Sequence, residues 1–134
     1  MLINLYLFSS IAMASLIWVM QLIHYPSFNY IEDFRFKRFS AFHQFFISIL
    51  VIPLMLIELS VSSIYLYQES SKFWLVQVFF LILIWLVTGL ISGPTHKKLL
   101  DYGKDKKLID RLIQTNWIRT IAWSLKLGFF YVQF

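Results

Sequence analysis

Residues 73–92 read FWLVQVFFLILIWLVTGLIS and contain no Asp, Glu, Lys or Arg. A helix of about 20 apolar residues is long enough to cross the hydrocarbon core of a bilayer. Three other stretches are comparably apolar, and they are residues 2–23, 39–67 and 113–134. The pattern predicts an all-α fold, a four-helix transmembrane bundle in up-down-up-down order that forms a single membrane domain over residues 1–134.

The composition agrees with a membrane protein. Hydrophobic residues make up 59% of the chain and charged residues only 14%, whereas soluble domains carry about 25% charged residues. The chain has no cysteine, which excludes disulfides, thiolate metal sites and a cysteine nucleophile. The low share of charged residues excludes an ordinary soluble domain.

The basic residues predict an orientation. Ten of the twelve Lys and Arg residues lie in the predicted loops 24–38 and 93–112 or near the start of the fourth span. Loops rich in Lys and Arg remain in the cytoplasm, so we expect both termini outside, in the cell inner (plasma) membrane. Lipid headgroups then account for the net charge of +5. We expect the bilayer as partner and no nucleic acid, and a homo-oligomer remains open.

Three histidines are predicted to meet at the cytoplasmic end. The first span ends near His24, the second begins near His43 and the third ends before His96. Asn116 and Arg119 open the fourth span at the same end. Polar side chains in a membrane bundle face its interior, so these five residues form a candidate binding cluster.

Polar residues also share one face of the individual spans, which supports an inward orientation. The residues on these two faces are Ser10, Gln21 and His24 in the first span, and Gln77, Thr88 and Ser92 in the third.

The cluster suggests two kinds of ligand. Three neutral imidazoles suit zinc, copper or haem iron, so His24, His43 and His96 are candidate metal ligands, with haem or a divalent metal as candidate cofactor. Asn116 and Arg119 are then cofactor or substrate contacts. Alternatively, Arg119 can hold the anionic group of a small hydrophobic ligand. A di-iron carboxylate site is disfavoured because its paired Glu-x-x-His motifs are absent.

Three functional hypotheses follow. The leading one is that this cluster binds a metal, haem or a polar-headed hydrophobic ligand for redox chemistry, with substrate and catalytic residues unassigned. The alternative is a non-catalytic membrane accessory or assembly protein, in which the histidines only cap helix ends. A transporter protomer is the third, and it requires an oligomer because four helices leave little room for a gated path.

Glu58 and Lys126 are charged residues deep inside predicted spans. A helix rises about 1.5 Å per residue, which puts Glu58 about 22 Å beyond His43 and Lys126 about 15 Å beyond Asn116. A lysine side chain nearly spans that difference. We predict an intramembrane pair, which serves either packing specificity or a proton relay.

Glycine, proline and aromatic residues lead to three further predictions. Gly89 and Gly93 form a Gly-x-x-x-Gly step, which we expect to serve packing within the chain. Pro26 and Pro94 are expected to close the first and third spans, since proline disfavours a helical conformation in the residue before it. Aromatic residues near the predicted interfaces indicate an aromatic belt, and they include Tyr25, Trp74, Tyr102 and Trp117.

The segment Asn116-Trp117-Ile118-Arg119-Thr120 follows a charged loop and precedes an apolar stretch. In this it resembles the anthrone-oxygenase-like group of small four-helix membrane proteins, in which a similar Asn and Arg open the final helix. The likeness covers the last part of the chain and the general topology. It implies an oxygenase activity only by analogy of fold.

Overall fold

Four long helical segments follow one another along the chain in a computed structural model that describes residues 1–133. We name them α1 (Leu2–Tyr30), α2 (Asp33–Glu69), α3 (Lys72–Tyr102) and α4 (Lys106–Gln133). Short connections make consecutive helices antiparallel, and α4 packs back against α1. The described residues contain no strand. The predicted all-α four-helix bundle is confirmed.

Helices α1 and α3 consist of shorter segments that differ in helix type. The chain is α-helical at Leu2–Val19, Tyr25–Ser27, Asp33–Glu69, Lys72–Val87, Gly93–Tyr102 and Lys106–Gln133, and 3₁₀-helical at Phe28–Tyr30.

The two prolines predicted to end helices do not end them. A π-helical turn at Met20–His24 precedes Pro26, and another at Thr88–Ser92 precedes Pro94, with the same two-residue spacing. Proline lacks an N–H, and its ring crowds the carbonyl four residues earlier. That carbonyl lies inside the π turn in both helices, and the wider turn lets the helix continue past the proline.

The two loops predicted at 24–38 and 93–112 are mostly helical. Helix α2 begins at Asp33, whose carboxylate suits a helix N-terminus. Between α3 and α4, Gly103 has a φ of 92°, which glycine adopts without strain. Helix α4 then runs unbroken from Lys106, and the Asp105 carboxylate accepts hydrogen bonds from its first turn.

Helices α1, α2 and α3 are long and apolar enough to cross a membrane. Helix α4 is less apolar than these three because it contains several charged residues. Its two mid-helix cations, Arg119 and Lys126, are nonetheless buried. The predicted fourth span 113–134 includes Phe134, which lies outside the described residues.

We call the end that carries His24, His43 and His96 the histidine end, and the opposite end, where α1 begins and the described part of α4 ends, the terminal end. The prediction of an aromatic belt is wrong for two of the four residues named for it. Tyr102 and Trp117 are exposed, but Tyr25 and Trp74 are 3% and 1% exposed and belong to the interior. Trp74 packs against Tyr6 at the terminal end, and Tyr25 belongs to the site described next.

Candidate functional site

A cavity of about 220 Å³ lies between the four helices, towards the histidine end. Its deeper wall is apolar and includes Met13, Ile17 and Met55. Its wall nearer the histidine end carries the polar side chains of His96 and Arg119. An apolar protein cavity of about 150 Å³ accommodates benzene. This cavity can therefore hold a ring-sized or similarly small group that is polar at one end.

Arg119 is the charged residue of the cavity, and its side chain is 6% exposed. Its Nη2 donates to Asn116 Oδ1 at 2.6 Å and to Tyr25 Oη at 3.2 Å, and its Nη1 donates to Thr88 Oγ1 at 3.3 Å. These acceptors are all neutral. No ion pair among residues 1–133 includes Arg119. Its positive charge is thus buried and fixed in position without a compensating anion.

Asn116 positions the Arg119 side chain by accepting its hydrogen bond. Its Nδ2 donates to Gln21 Oε1 at 2.8 Å, and Gln21 Nε2 donates to the carbonyl of Ile113 at 3.1 Å. Asn116 is fully buried and does not line the cavity. Because Gln21 lies in the π turn of α1, this chain of amides joins that turn to the guanidinium.

The structure brings the three histidines together as a row. His24 Nε2 lies 2.8 Å from His43 Nδ1, and the rings of His43 and His96 have centroids 5.3 Å apart. His96 Nε2 lies 3.3 Å from Tyr25 Oη. Of the three, only His96 lines the cavity.

This row does not form a ready metal site. Within the described part of the chain, no group of three or more His, Cys, Asp or Glu side chains is arranged to hold a metal ion. One nitrogen of His24 is already hydrogen-bonded to His43, so these two nitrogens point at each other and not at a shared metal position. The expectation of a metal or haem at His24, His43 and His96 stays a prediction without geometric support.

Unpaired polar atoms are concentrated around the cavity. Five buried side-chain nitrogen or oxygen atoms in residues 1–133 have no hydrogen-bond partner. Four of them belong to cavity-lining side chains, and these are Trp85 Nε1, Ser92 Oγ, His96 Nδ1 and Arg119 Nε. The Trp85 and Arg119 nitrogens can only donate. Since buried polar groups are nearly always paired in folded proteins, the cavity offers donors to a ligand that supplies oxygen acceptors.

Sequence reasoning missed three residues of this site. Tyr25 was assigned to the membrane interface, and Trp85 and Gln44 were not singled out, although all three line the cavity. Gln44 Nε2 donates to the carbonyl of His96 at 2.9 Å. The π turn directly before Tyr25 is of a kind that often occurs at functional sites, but it appears only in the structure and gave no signal in the sequence.

A second polar network lies closer to the terminal end. Lys126 Nζ lies 2.6 Å from Glu58 Oε1 and also donates to Ser10 Oγ at 2.7 Å and Tyr6 Oη at 3.1 Å. The other carboxylate oxygen, Glu58 Oε2, accepts from Trp123 Nε1 at 3.0 Å. The structure thus brings the two intramembrane charges into contact. Neither of them leaves a nitrogen or oxygen atom without a partner.

Comparisons with known proteins identify no family for this chain. No protein-family model matches the sequence, and neither the curated proteins nor the solved structures give a significant match. The resemblance to the anthrone-oxygenase-like group is therefore untested.

Proposed function

We propose that this protein is a multi-pass membrane protein that binds a hydrophobic molecule with an oxyanion headgroup, such as a carboxylate, in the cavity between its four helices. The buried Arg119 guanidinium without an anionic partner is the observation that carries this proposal. A buried charge costs several kcal/mol unless it is paired. An anionic headgroup would supply the missing partner.

The unpaired donors support the same class of headgroup. Arg119 Nε and Trp85 Nε1 both need an acceptor, and Ser92 Oγ can donate as well. A carboxylate offers two oxygens with about four lone-pair sites. It can therefore accept from the guanidinium and from neutral donors at the same time.

The rest of the cavity suits an apolar tail. Met13, Met20 and Met55 line it, and flexible thioether side chains adapt to irregular apolar ligands. Its volume of about 220 Å³ is below the 300–1,000 Å³ typical of pockets for drug-sized molecules. A slender amphiphile fits this volume better than a macrocycle such as haem.

The proposal includes binding but no reaction. The redox chemistry expected from the sequence is not part of it, and the row of histidines gives the metal-bound form of that expectation no support. His96, with one unpaired nitrogen at the cavity wall, adds a further hydrogen-bonding group for the ligand.

We extend the proposal to the membrane topology, with four spans, the histidine end in the cytoplasm and both termini outside, in the cell inner membrane. Helix α4 supports a fourth span because its charges at Arg119 and Lys126 are buried, whereas Ile121, Leu125 and Phe129 are exposed. Such a helix presents an apolar face to lipid. The exposed lysines near the histidine end support its cytoplasmic position.

Three ligands with the same ten-carbon tail test the headgroup. Binding of decanoate, decyl-benzoquinone and decylamine is measured by calorimetry on protein in lipid nanodiscs, with empty nanodiscs as the control for partitioning into lipid. We expect decanoate to bind most tightly, the neutral quinone more weakly, and the cationic amine not at all. Equal binding of decylamine and decanoate, or no protein-dependent heat with any of them, would overturn the proposal.

A further inference from the structure

Resting on the proposed function, we infer that the ligand is a long-chain, lipid-soluble anion whose headgroup enters the cavity sideways, through a gap between α2 and α3. Its tail then remains in this gap and in the surrounding bilayer. The site would thus take its ligand from the membrane and not from water.

The exposure of the cavity-lining residues locates the gap. The lining residues of α1 and α4 are buried, apart from the half-buried Leu16, and they are Met13, Ile17, Met20, Tyr25, Arg119 and Trp123. On α2 and α3, by contrast, Ser48 is half-buried, Ile52 is 48% exposed and Gly93 is exposed. The cavity therefore opens between α2 and α3.

The two edges of this gap differ in bulk. Gln44, Ser48 and Ile52 follow each other at four-residue spacing, so they form one row along α2. The facing part of α3 carries Gly93, and one turn earlier Gly89, where an added Cβ atom would meet nothing within 4 Å. An edge made of backbone without side chains leaves room for an alkyl chain to pass.

The gap lies at a depth where lipid, not water, surrounds the bundle. Ser48 comes fifteen residues after the start of α2, which is about 22 Å along a helix that measures about 55 Å in total. In the stretches of α2 and α3 that flank the gap, residues 45–56 and 86–94, no polar or charged side chain is exposed, and the exposed ones include Phe45, Ile49, Leu56, Leu86 and Leu90. A molecule that reaches the gap therefore arrives from the hydrocarbon region.

The cavity is also too small to enclose a long-chain amphiphile. Its volume of about 220 Å³ exceeds only modestly the volume of about 150 Å³ that holds benzene. A headgroup and the first few carbons fill this space. The remainder of a long tail must extend through the opening, where the exposed apolar side chains give it the same environment as lipid.

A single introduced thiol tests the route. The natural chain has no cysteine, so Ser48→Cys provides one reactive group at the edge of the gap, and benzyl methanethiosulfonate attaches a removable ring to it. We expect the ring to slow both association and dissociation of decanoate by about tenfold, and dithiothreitol to restore both rates. Stopped-flow tryptophan fluorescence reports the rates because Trp85 and Trp123 line the cavity.

Ser63→Cys is the matched control, since Ser63 is exposed on α2 about 22 Å beyond Ser48. Its labelling should leave both rates unchanged. If labelled Ser48→Cys exchanges decanoate at the unlabelled rate, the lateral route is wrong while the binding site stands. If the wild-type protein binds no decanoate at all, the proposed function itself fails.

Tail length gives an independent readout. At equal mole fraction in the nanodisc lipid, hexadecanoate should occupy the site as fully as decanoate, because the additional carbons remain in the bilayer. A closed cavity would reject the longer chain. Loss of hexadecanoate binding with retained decanoate binding would therefore refute the lateral opening and leave the headgroup site intact.

Discussion

Helix α4 carries two buried cations seven residues, or about two turns, apart, and their surroundings differ. Lys126 contacts the Glu58 carboxylate and two hydroxyl groups. Within the part of the chain that the structure describes, Arg119 donates only to neutral groups and retains an unpaired Nε. The network around Lys126 is closed within the chain, whereas the network around Arg119 is open towards a cavity.

This difference separates a role in folding from a role in binding. A closed network of buried charges specifies how helices pack, and it leaves nothing for a ligand to satisfy. An open network is unfavourable in the empty protein and becomes favourable when a ligand completes it. We therefore expect substitutions around Lys126 to act on stability and those around Arg119 to act mainly on ligand binding.

The largest effect is expected from Lys126→Met. It leaves the Glu58 carboxylate buried without its counterion, and breaking a buried ion pair in this way costs about 3–5 kcal/mol. Thermal and denaturant unfolding in detergent measure the loss. Lys97→Met is the control because Lys97 is exposed and its pair with Asp101 contributes little.

The double variant Lys126→Met with Glu58→Leu sharpens this test. Removing both charges should restore most of the stability, because no uncompensated charge then remains in the interior. Strictly additive losses in the two single variants and the double variant would contradict a mutual pairing role.

The same substitution at the other cation, Arg119→Met, should have a smaller effect on the empty protein. It removes three hydrogen bonds, but it also removes an uncompensated buried charge and leaves no carboxylate unpaired, so the two effects offset each other and the free energy of unfolding should change by less than about 3 kcal/mol. Decanoate at a hundred times its dissociation constant should stabilise the wild type by about 2.7 kcal/mol and this variant not at all. Unfolding scans with and without decanoate measure both effects. Equal stabilisation of the two proteins would show that decanoate binds elsewhere.

Trp85→Phe removes one unpaired donor of the cavity and leaves the others in place. Trp85 Nε1 has no partner among residues 1–133, so its removal should leave stability unchanged or slightly higher, while the affinity for decanoate falls about fivefold through the loss of about one hydrogen bond. Trp123→Phe is the matched comparison, since it removes the donor to Glu58 and should instead lower stability. Unchanged affinity in Trp85→Phe would remove this indole from the proposed site.

The four helices, and the depth of individual residues along them, could be predicted from the sequence. The apolar stretch 73–92 and the three others predict four helices, and a constant helical rise is enough to compare the depth of Glu58 with that of Lys126. The topology likewise predicts that His24, His43 and His96 lie at one end. These inferences need only the position of a residue along its helix.

The π turns and the side-chain contacts of the site could not be predicted, because they do not follow from the position of a residue along its helix. Whether Pro26 ends a helix or is accommodated by a π turn depends on packing around it. That Asn116 turns towards Gln21, and that Trp85 Nε1 finds no acceptor, depends on side-chain conformations in three dimensions. The cavity and its unpaired donors were therefore invisible in the sequence.

The smallest expected effect concerns the Gly-x-x-x-Gly step of α3. Packing within the chain was expected there, but a Cβ atom at Gly89 would lie in open space, so that expectation is wrong for Gly89. Gly89→Ala should raise stability by up to about 1 kcal/mol through its better helix propensity, as should Gly128→Ala, which is equally open. At Gly93, by contrast, a Cβ atom would lie 3.2 Å from the carbonyl oxygen of Thr88.

Gly93→Ala must therefore move the π turn whose first residue, Thr88, accepts a hydrogen bond from Arg119. We expect this variant to be less stable than Gly89→Ala and to bind decanoate more weakly, although the two glycines are only one turn apart. Unfolding scans and calorimetry on the pair measure both differences. Identical behaviour of the two variants would mean that the π turn of α3 does not position the guanidinium, and that the open network depends on α1 and α4 alone.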